Sequence, residues 1–173
     1  MELYAESLFH IYNQGNRKQR IFFDDSNYEL FQELTKRFVH PHCDILAYCL
    51  MPNHFHFLIN ASPKSVEKIQ LGSIELTVLS NSFRLLLSNY AQIVNRERDE
   101  SGSLFRQKTK AKWLDHTEEK YAITCFNYVH MNPVTSGLVK NPEDWKYSSC
   151  KAYVKSIDDV LINKNIAKIL LDL

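Results

Sequence analysis

The sequence predicts an α+β sandwich, a small antiparallel sheet with helices packed on one of its faces. Three observations predict it. Asp44–Met51 and His54–Asn60 are apolar-rich runs joined by a tight Pro52-Asn53 turn, which reads as a central hairpin. Apolar residues at helical spacing mark amphipathic helices before and after that hairpin. The order strand, helix, hairpin, helix, short extended segment, helix makes ferredoxin-like the nearest common architecture.

Leu8–Tyr12 is the first strand, with Leu8, His10 and Tyr12 on one side and Phe9 and Ile11 on the other. A polar, basic turn runs from Gln14 to Arg20. Tyr28, Phe31, Leu34, Thr35 and Phe38 then keep helical spacing, with Asp25 or Ser26 as the N-cap, and His40-Pro41-His42 ends that helix. After the hairpin, Ser62-Pro63 is a helix start. Leu76, Leu79, Phe83, Leu86, Tyr90 and Ile93 mark one face of a long amphipathic helix that runs out near Arg96–Glu100. In the extended segment Leu104–Trp113, Lys108, Lys110 and Lys112 alternate and so share a face. A second long helix is expected from Glu118 to Met131, stopped at Asn132-Pro133, because proline disfavours helix at the residue before it. Tyr147–Val154 and Asn163–Leu171 read as short terminal helices.

The 173 residues suit one compact domain, drawn at 1–155, with 156–173 as a helical tail. Hydrophobic residues at 45% and charged residues at 24% exclude wholesale disorder. No apolar run reaches the ~18 residues of a membrane span, so no membrane partner is expected. The N-terminus carries Glu2 and Glu6 and lacks the basic start of a secretory signal, so a cytoplasmic chain is expected. The 21 Lys+Arg nearly balance the 20 Asp+Glu, so a nucleic-acid surface would have to be a local patch. Cys43, Cys49, Cys125 and Cys150 form no C-x-x-C pair and read as buried small residues.

Three features carry chemistry. In Met51-Pro52-Asn53-His54-Phe55-His56-Phe57-Leu58, strand alternation points His54 and His56 to one face, where two imidazoles can chelate one metal ion, while Phe55 and Phe57 enter the core. The plain alternative is a solvated edge of a half-buried strand. In Phe126-Asn127-Tyr128-Val129-His130-Met131-Asn132-Pro133-Val134, Tyr128 and Asn132 lie one helical turn apart on one face. There the alternative is an amphipathic tyrosine with its hydroxyl at the rim. Basic residues form three clusters beside aromatic side chains: Arg17/Lys18/Arg20, Arg96/Arg98 and Arg106/Lys108/Lys110/Lys112. Such clusters can track a phosphate backbone and stack unpaired bases, or be solvated charged faces. Histidines 10 and 130 read as interior packing residues, a phosphate contact being the minor alternative for His10.

Three blocks resemble one known family. His10-Ile11-Tyr12-Asn13-Gln14-Gly15-Asn16-Arg17 with Ile21-Phe22-Phe23-Asp24 is the first. The second is Ala47-Tyr48-Cys49-Leu50-Met51-Pro52-Asn53-His54-Phe55-His56. Tyr128-Val129-His130-Met131-Asn132-Pro133-Val134-Thr135-Ser136-Gly137-Leu138-Val139, followed by Trp145-Lys146-Tyr147-Ser148-Ser149, is the third. Gly102-Ser103-Leu104-Phe105-Arg106 matches a further segment. Their order is that of the REP-associated tyrosine transposases, within the single-tyrosine HUH transposase superfamily, and the chain resembles this family up to about Tyr153. Thr135-Ser136-Gly137 departs from the Arg-Ala-Gly of many members, so one positive charge is missing.

The resemblance implies an antiparallel sheet with the His pair on a central strand and the tyrosine on a facing helix. It implies a reaction: Tyr128 attacks a phosphodiester of single-stranded DNA beside a stem-loop or palindromic element, leaving a 5′-phosphotyrosyl link and a free 3′-OH. His54, His56 and, one turn beyond the tyrosine, Asn132 would hold Mg²⁺ or Mn²⁺. Arg17, Lys18, Arg20, Arg106, Lys108, Lys110 and Lys112 would bind DNA. A monomer and a homodimer both stay open, as does a transposase-derived protein that grips hairpins without cutting them.

Overall fold

The computed structural model describes residues 2–114 and 121–173; His116 and the expected helix start at Glu118 lie outside the described residues. Strands β1 (Ser7–Gln14), β2 (Cys43–Met51), β3 (His54–Ala61) and β6 (Lys110–Leu114) form one sheet in the order β2-β3-β1-β6, every neighbouring pair antiparallel. A separate hairpin pairs β4 (Lys68–Leu71) with β5 (Ile74–Thr77). With that hairpin set aside, the sheet is the four-stranded ferredoxin-like arrangement that the sequence predicts.

Both faces of the sheet are apolar, so both need cover. Phe9, Ile11, Phe55 and Phe57 pack with Phe31 of α1 (Asp25–Phe38) and Phe83 and Tyr90 of α2 (Val78–Glu97). Leu8, Ala47, Cys49, Met51 and Leu58 face the other way, against Cys125, Phe126 and Val129 of α3 (Tyr121–Thr135) and Ala167 and Leu171 of α5 (Lys164–Leu171). Helices on one face was therefore the wrong expectation: the chain covers both. In β2 the alternation slips at a bulge between Ile45 and Ala47, which puts Leu46 and Ala47 on the same side. All four cysteines are buried and free.

Several element ends differ from the sequence reading. Asp24 caps α1, accepting from the Asn27 N–H. Ser62-Pro63 opens only a short 3₁₀ turn, Pro63–Val66. The chain then makes the β4–β5 hairpin, turning at Gly72, whose φ of +58° glycine adopts without steric cost. Leu76 belongs to β5, and α2 starts after Thr77, which caps it. The proline does not stop α3. Asn132 and Pro133 are both buried in the helix, which ends instead in a Schellman motif. Leu138 N–H bonds the Pro133 carbonyl, Gly137 N–H bonds the Val134 carbonyl, and Gly137 takes φ +70°. A packed stripe offsets the single backbone hydrogen bond that a proline removes.

Residues 147–149 and the tail both dock along the outer edge of β2. Leu50 N–H bonds the Tyr147 carbonyl and Ser149 N–H bonds the Tyr48 carbonyl, so 147–149 is extended and α4 (Cys150–Val154) begins later than expected. Asn163 N–H bonds the Ile45 carbonyl, and its side chain caps α5. Ala167 and Leu171 are buried, while Ile169 stays exposed.

Candidate active site

Strand alternation and the register of β1 with β3 assemble the site. Tyr12 stands opposite His56 and His10 opposite Leu58, so His10 and His56 are diagonal neighbours on the face under α3. Their rings stack with centroids 4.9 Å apart, and His10 Nε2 lies 2.8 Å from His56 Nδ1. His54, two residues along the same face, puts its Nδ1 2.6 Å from Asn53 Oδ1. The Asn53 amide is oriented by its own donation to the Lys18 carbonyl at 3.3 Å.

Tyr128 projects from the rim of α3, beside the buried stripe of Cys125, Val129 and Asn132, and is 52% exposed. Its ring stands edge-on to both imidazoles, at 5.5 Å from His56 and 5.9 Å from His10 between centroids. One turn later, Asn132 donates from Nδ2 to the Tyr128 carbonyl at 3.0 Å and also hydrogen-bonds His54. The helix thus brings the phenol to His10 and His56 and the amide to His54.

Burial holds these imidazoles neutral. The His56 pKa is pushed down to about 2 by burial, with smaller contributions from His10 and His54. That of His10 is pushed down to about 4 by burial and by Lys112, which stands opposite it across β1 and β6. Burial also lowers the His54 pKa, against which its hydrogen bond to Asn132 works. A neutral imidazole keeps one lone pair, which a metal ion or a proton can take.

The residues fit a divalent cation. His56 Nε2 is buried with no hydrogen-bond partner, a situation that ordinarily costs about 1–3 kcal/mol. Both imidazoles have Nδ1 engaged, and Nε2 of His56 is left unpartnered for a ligand. Among the described residues no three His, Cys, Asp or Glu side chains are grouped to hold a metal. The donor set available is therefore two imidazoles and the Asn132 amide, with open positions for phosphate oxygens.

A cavity of about 350 Å³ joins these parts to positive charge. It is lined by Tyr12, His54, His56 and Tyr128 together with Arg106, Lys108 and Lys110. The basic segment is braced against the end of β1. Arg106 N–H bonds the Gln14 carbonyl, and Asn13 Nδ2 donates to the Arg106 carbonyl and to Thr109 Oγ1. On the other side of that segment a groove of about 750 Å³ runs along α2, lined by Arg84, Arg106, Lys108 and Lys110 and, among the described residues, by no acidic one.

The other basic residues lie elsewhere. Lys112 shares the His10 face, with its ammonium 4.5 Å from the Tyr121 ring centroid. Arg17, Lys18 and Arg20 are exposed on the turn after β1, next to Asn53, and Arg17 lines a smaller cavity of about 240 Å³ with Asn95 and Glu100. Arg98 pairs with Glu100 at 2.9 Å and lies over the Phe23 ring. Sequence reasoning missed the place of Arg84 in the groove wall and the contact of His10 with His56. His130 is a packing residue, buried against Phe126 and hydrogen-bonded to Ser149 at 2.8 Å.

An antiparallel sheet thus carries paired imidazoles under a helical tyrosine, beside a basic segment. Residues 4–130 match the family model described as "Transposase IS200 like", and the chain belongs to that family. A protein of Haemophilus influenzae named as a REP-associated tyrosine transposase is 27% identical over 118 residues, 65% of this chain. The match spans 62% of that relative's length. A solved structure of a REP-associated tyrosine transposase bound to a REP hairpin superimposes with a TM-score of 0.63 at 15% identity, covering 94% of this chain and 92% of the other.

Proposed function

We propose that this chain is a REP-associated tyrosine transposase that nicks and rejoins single-stranded DNA beside stem-loop elements through a 5′-phosphotyrosyl intermediate. The observation that carries the reading is the shared cavity: Tyr128, His54 and His56 line it together with Arg106, Lys108 and Lys110. A nucleophile, metal donors and phosphate-binding cations thus converge on one space. The relative named above and the hairpin-bound structure support the choice of substrate.

The reaction is a transesterification. The Tyr128 oxygen attacks phosphorus and the bond to the 3′ oxygen breaks; the phenol loses a proton and the leaving 3′ oxygen gains one. No water is consumed, so rejoining reverses the step. A phenol ordinarily titrates near ~10 and is a weak nucleophile at neutral pH, so the scissile phosphate must be activated. His54, His56 and Asn132 would hold Mg²⁺ or Mn²⁺, which when bound polarises that phosphate as a Lewis acid. Oxygen ligands from phosphate suit Mg²⁺, and the imidazoles tilt the preference toward Mn²⁺. Arg106, Lys108 and Lys110 hold the flanking phosphates, and exposure of Tyr128 lets a strand reach it. The protein acts in the cytoplasm, on the nucleoid, as a monomer or a homodimer.

Incubation with a 3′-labelled hairpin oligonucleotide and Mn²⁺ tests this, because the 5′-phosphotyrosyl link retains the fragment on the 3′ side of the nick. Wild type should form a covalent adduct that survives denaturation. Tyr128→Phe should bind the hairpin and form none, while Tyr121→Phe, seven residues earlier on the helix, should behave as wild type. Undiminished adduct in Tyr128→Phe removes the assignment. Hairpin that wild type binds and leaves uncut supports the binding-only alternative.

A further inference from the structure

We propose that His10 is a positioning residue that fixes the tautomer and ring orientation of His56, so that His56 presents the Nε2 lone pair to the cavity. It rests on the metal reading given above and deepens it. The geometry begins with the contact between His10 Nε2 and His56 Nδ1, 2.8 Å apart. One of these nitrogens carries the proton and the other accepts it. His56 Nε2 decides which, because it is buried with no partner. A proton on that atom would be an N–H sealed from any acceptor. With the proton on Nδ1, His56 donates to His10 Nε2, and the nitrogen left unpartnered is an acceptor awaiting a Lewis acid.

The neighbouring ligand has the same construction. Asn53 Oδ1 meets His54 Nδ1 at 2.6 Å, and the Asn53 amide is turned that way by its donation to the Lys18 carbonyl. Each imidazole is therefore anchored at Nδ1 from behind, and His56 is unpartnered at Nε2 in front. The backing differs in origin. Asn53 is adjacent in sequence to its histidine, whereas His10 reaches His56 only because β1 lies beside β3. His10 is itself held: it is 8% exposed, with Tyr12 at 4.9 Å and Tyr128 at 5.9 Å between ring centroids. A His10 side chain pinned this way cannot swing out to phosphate, so its contribution reaches the substrate through His56.

The test uses the full chain labelled with ¹⁵N in its histidines, at pH 7.5 without metal. Long-range ¹H–¹⁵N correlation should show His56 protonated at Nδ1 and unprotonated at Nε2; the opposite tautomer in wild type overturns the proposal. His10→Leu removes the acceptor and should shift His56 toward the Nε2-protonated form. It should also weaken Mn²⁺ binding, measured by electron paramagnetic resonance, by roughly 10- to 100-fold. Hairpin binding and cooperative melting should persist. His10→Gln restores an acceptor oxygen and should recover part of both signals, and it serves as the comparison if His10→Leu fails to fold. An unchanged His56 tautomer and unchanged Mn²⁺ affinity in a folded His10 variant also overturn the proposal. Absence of Mn²⁺ binding by wild type removes the metal reading alone, because the His56 tautomer is then still decided by the spectrum.

Discussion

Neutralising the basic segment tests how this chain reads a strand. Arg106, Lys108 and Lys110 line both the cavity beside Tyr128 and the groove along α2, so under the proposed function a strand leaving Tyr128 in either direction would pass them. Each phosphate contact on single-stranded DNA contributes about 0.7 to the slope of log affinity against log salt. Changing all three to Gln should lower that slope by about 2. Between 50 and 200 mM salt, wild-type affinity should then fall roughly 15-fold further than that of the triple variant. Fluorescence anisotropy with a labelled hairpin carrying a single-stranded flank reads this directly. The loss should be alike for all sequences, because phosphates carry no base identity. A triple change of Arg17, Lys18 and Arg20 is the control, and it should shift the slope less, since none of the three lines the cavity beside Tyr128. An unchanged slope in the 106/108/110 variant, or a larger change in the control, refutes the assignment of the strand to this segment.

Arg84→Gln, in the groove wall, should lower the same slope by about 0.7, and equality with wild type would confine the strand to the catalytic side. Asn132→Ala should weaken Mn²⁺ binding with little change in melting temperature, whereas Asn132→Asp should keep or tighten it; an unfolded Asn132→Ala with unchanged metal affinity in its folded fraction would make Asn132 a purely structural residue. Acid should destabilise the fold through His130, whose pKa burial pushes down to about 4. The unfolded imidazole titrates near ~6.5, so the unfolded state binds the extra proton between those values. That stability is complete above pH ~6.5 and is lost as pH falls toward about 4, on the order of 3 kcal/mol. Urea titrations at pH 7.5 and 5 should show a smaller drop for His130→Leu than for wild type; equal drops contradict it.

The strands, the central hairpin and the His pair were legible because each is written in local alternation: Phe55 and Phe57 point to the α1–α2 side of the sheet wherever His54 and His56 point to the α3 side. Tyr128 and Asn132 were legible from a one-turn spacing and the family motif. What escaped depends on which strands become neighbours. His10 gains its meaning from β1 lying beside β3, and Arg84 from α2 lying beside residues 102–111, and neither adjacency is present in a short window. Two misses had local signals. Gly72-Ser73 between apolar residues is a hairpin turn, overridden by the helix start read at Ser62-Pro63. Gly137 marks the true end of α3, overridden by the proline rule.

The tail's bonds along β2 bear on aggregation. An open sheet has two raw borders, and each is a template for foreign chains. One border here is occupied by the protein's own residues 147–149 and by Asn163, which use β2 backbone groups that an intruding strand would need. The other is β6, five residues long with Lys110 and Lys112 along it; short strands and lysines both discourage strand addition. Those lysines thus guard a border as well as standing beside Tyr12 and His10. A chain cut before Trp145 would lose the first guard and expose a nine-residue apolar strand, Cys43–Met51, to any partner able to pair with it.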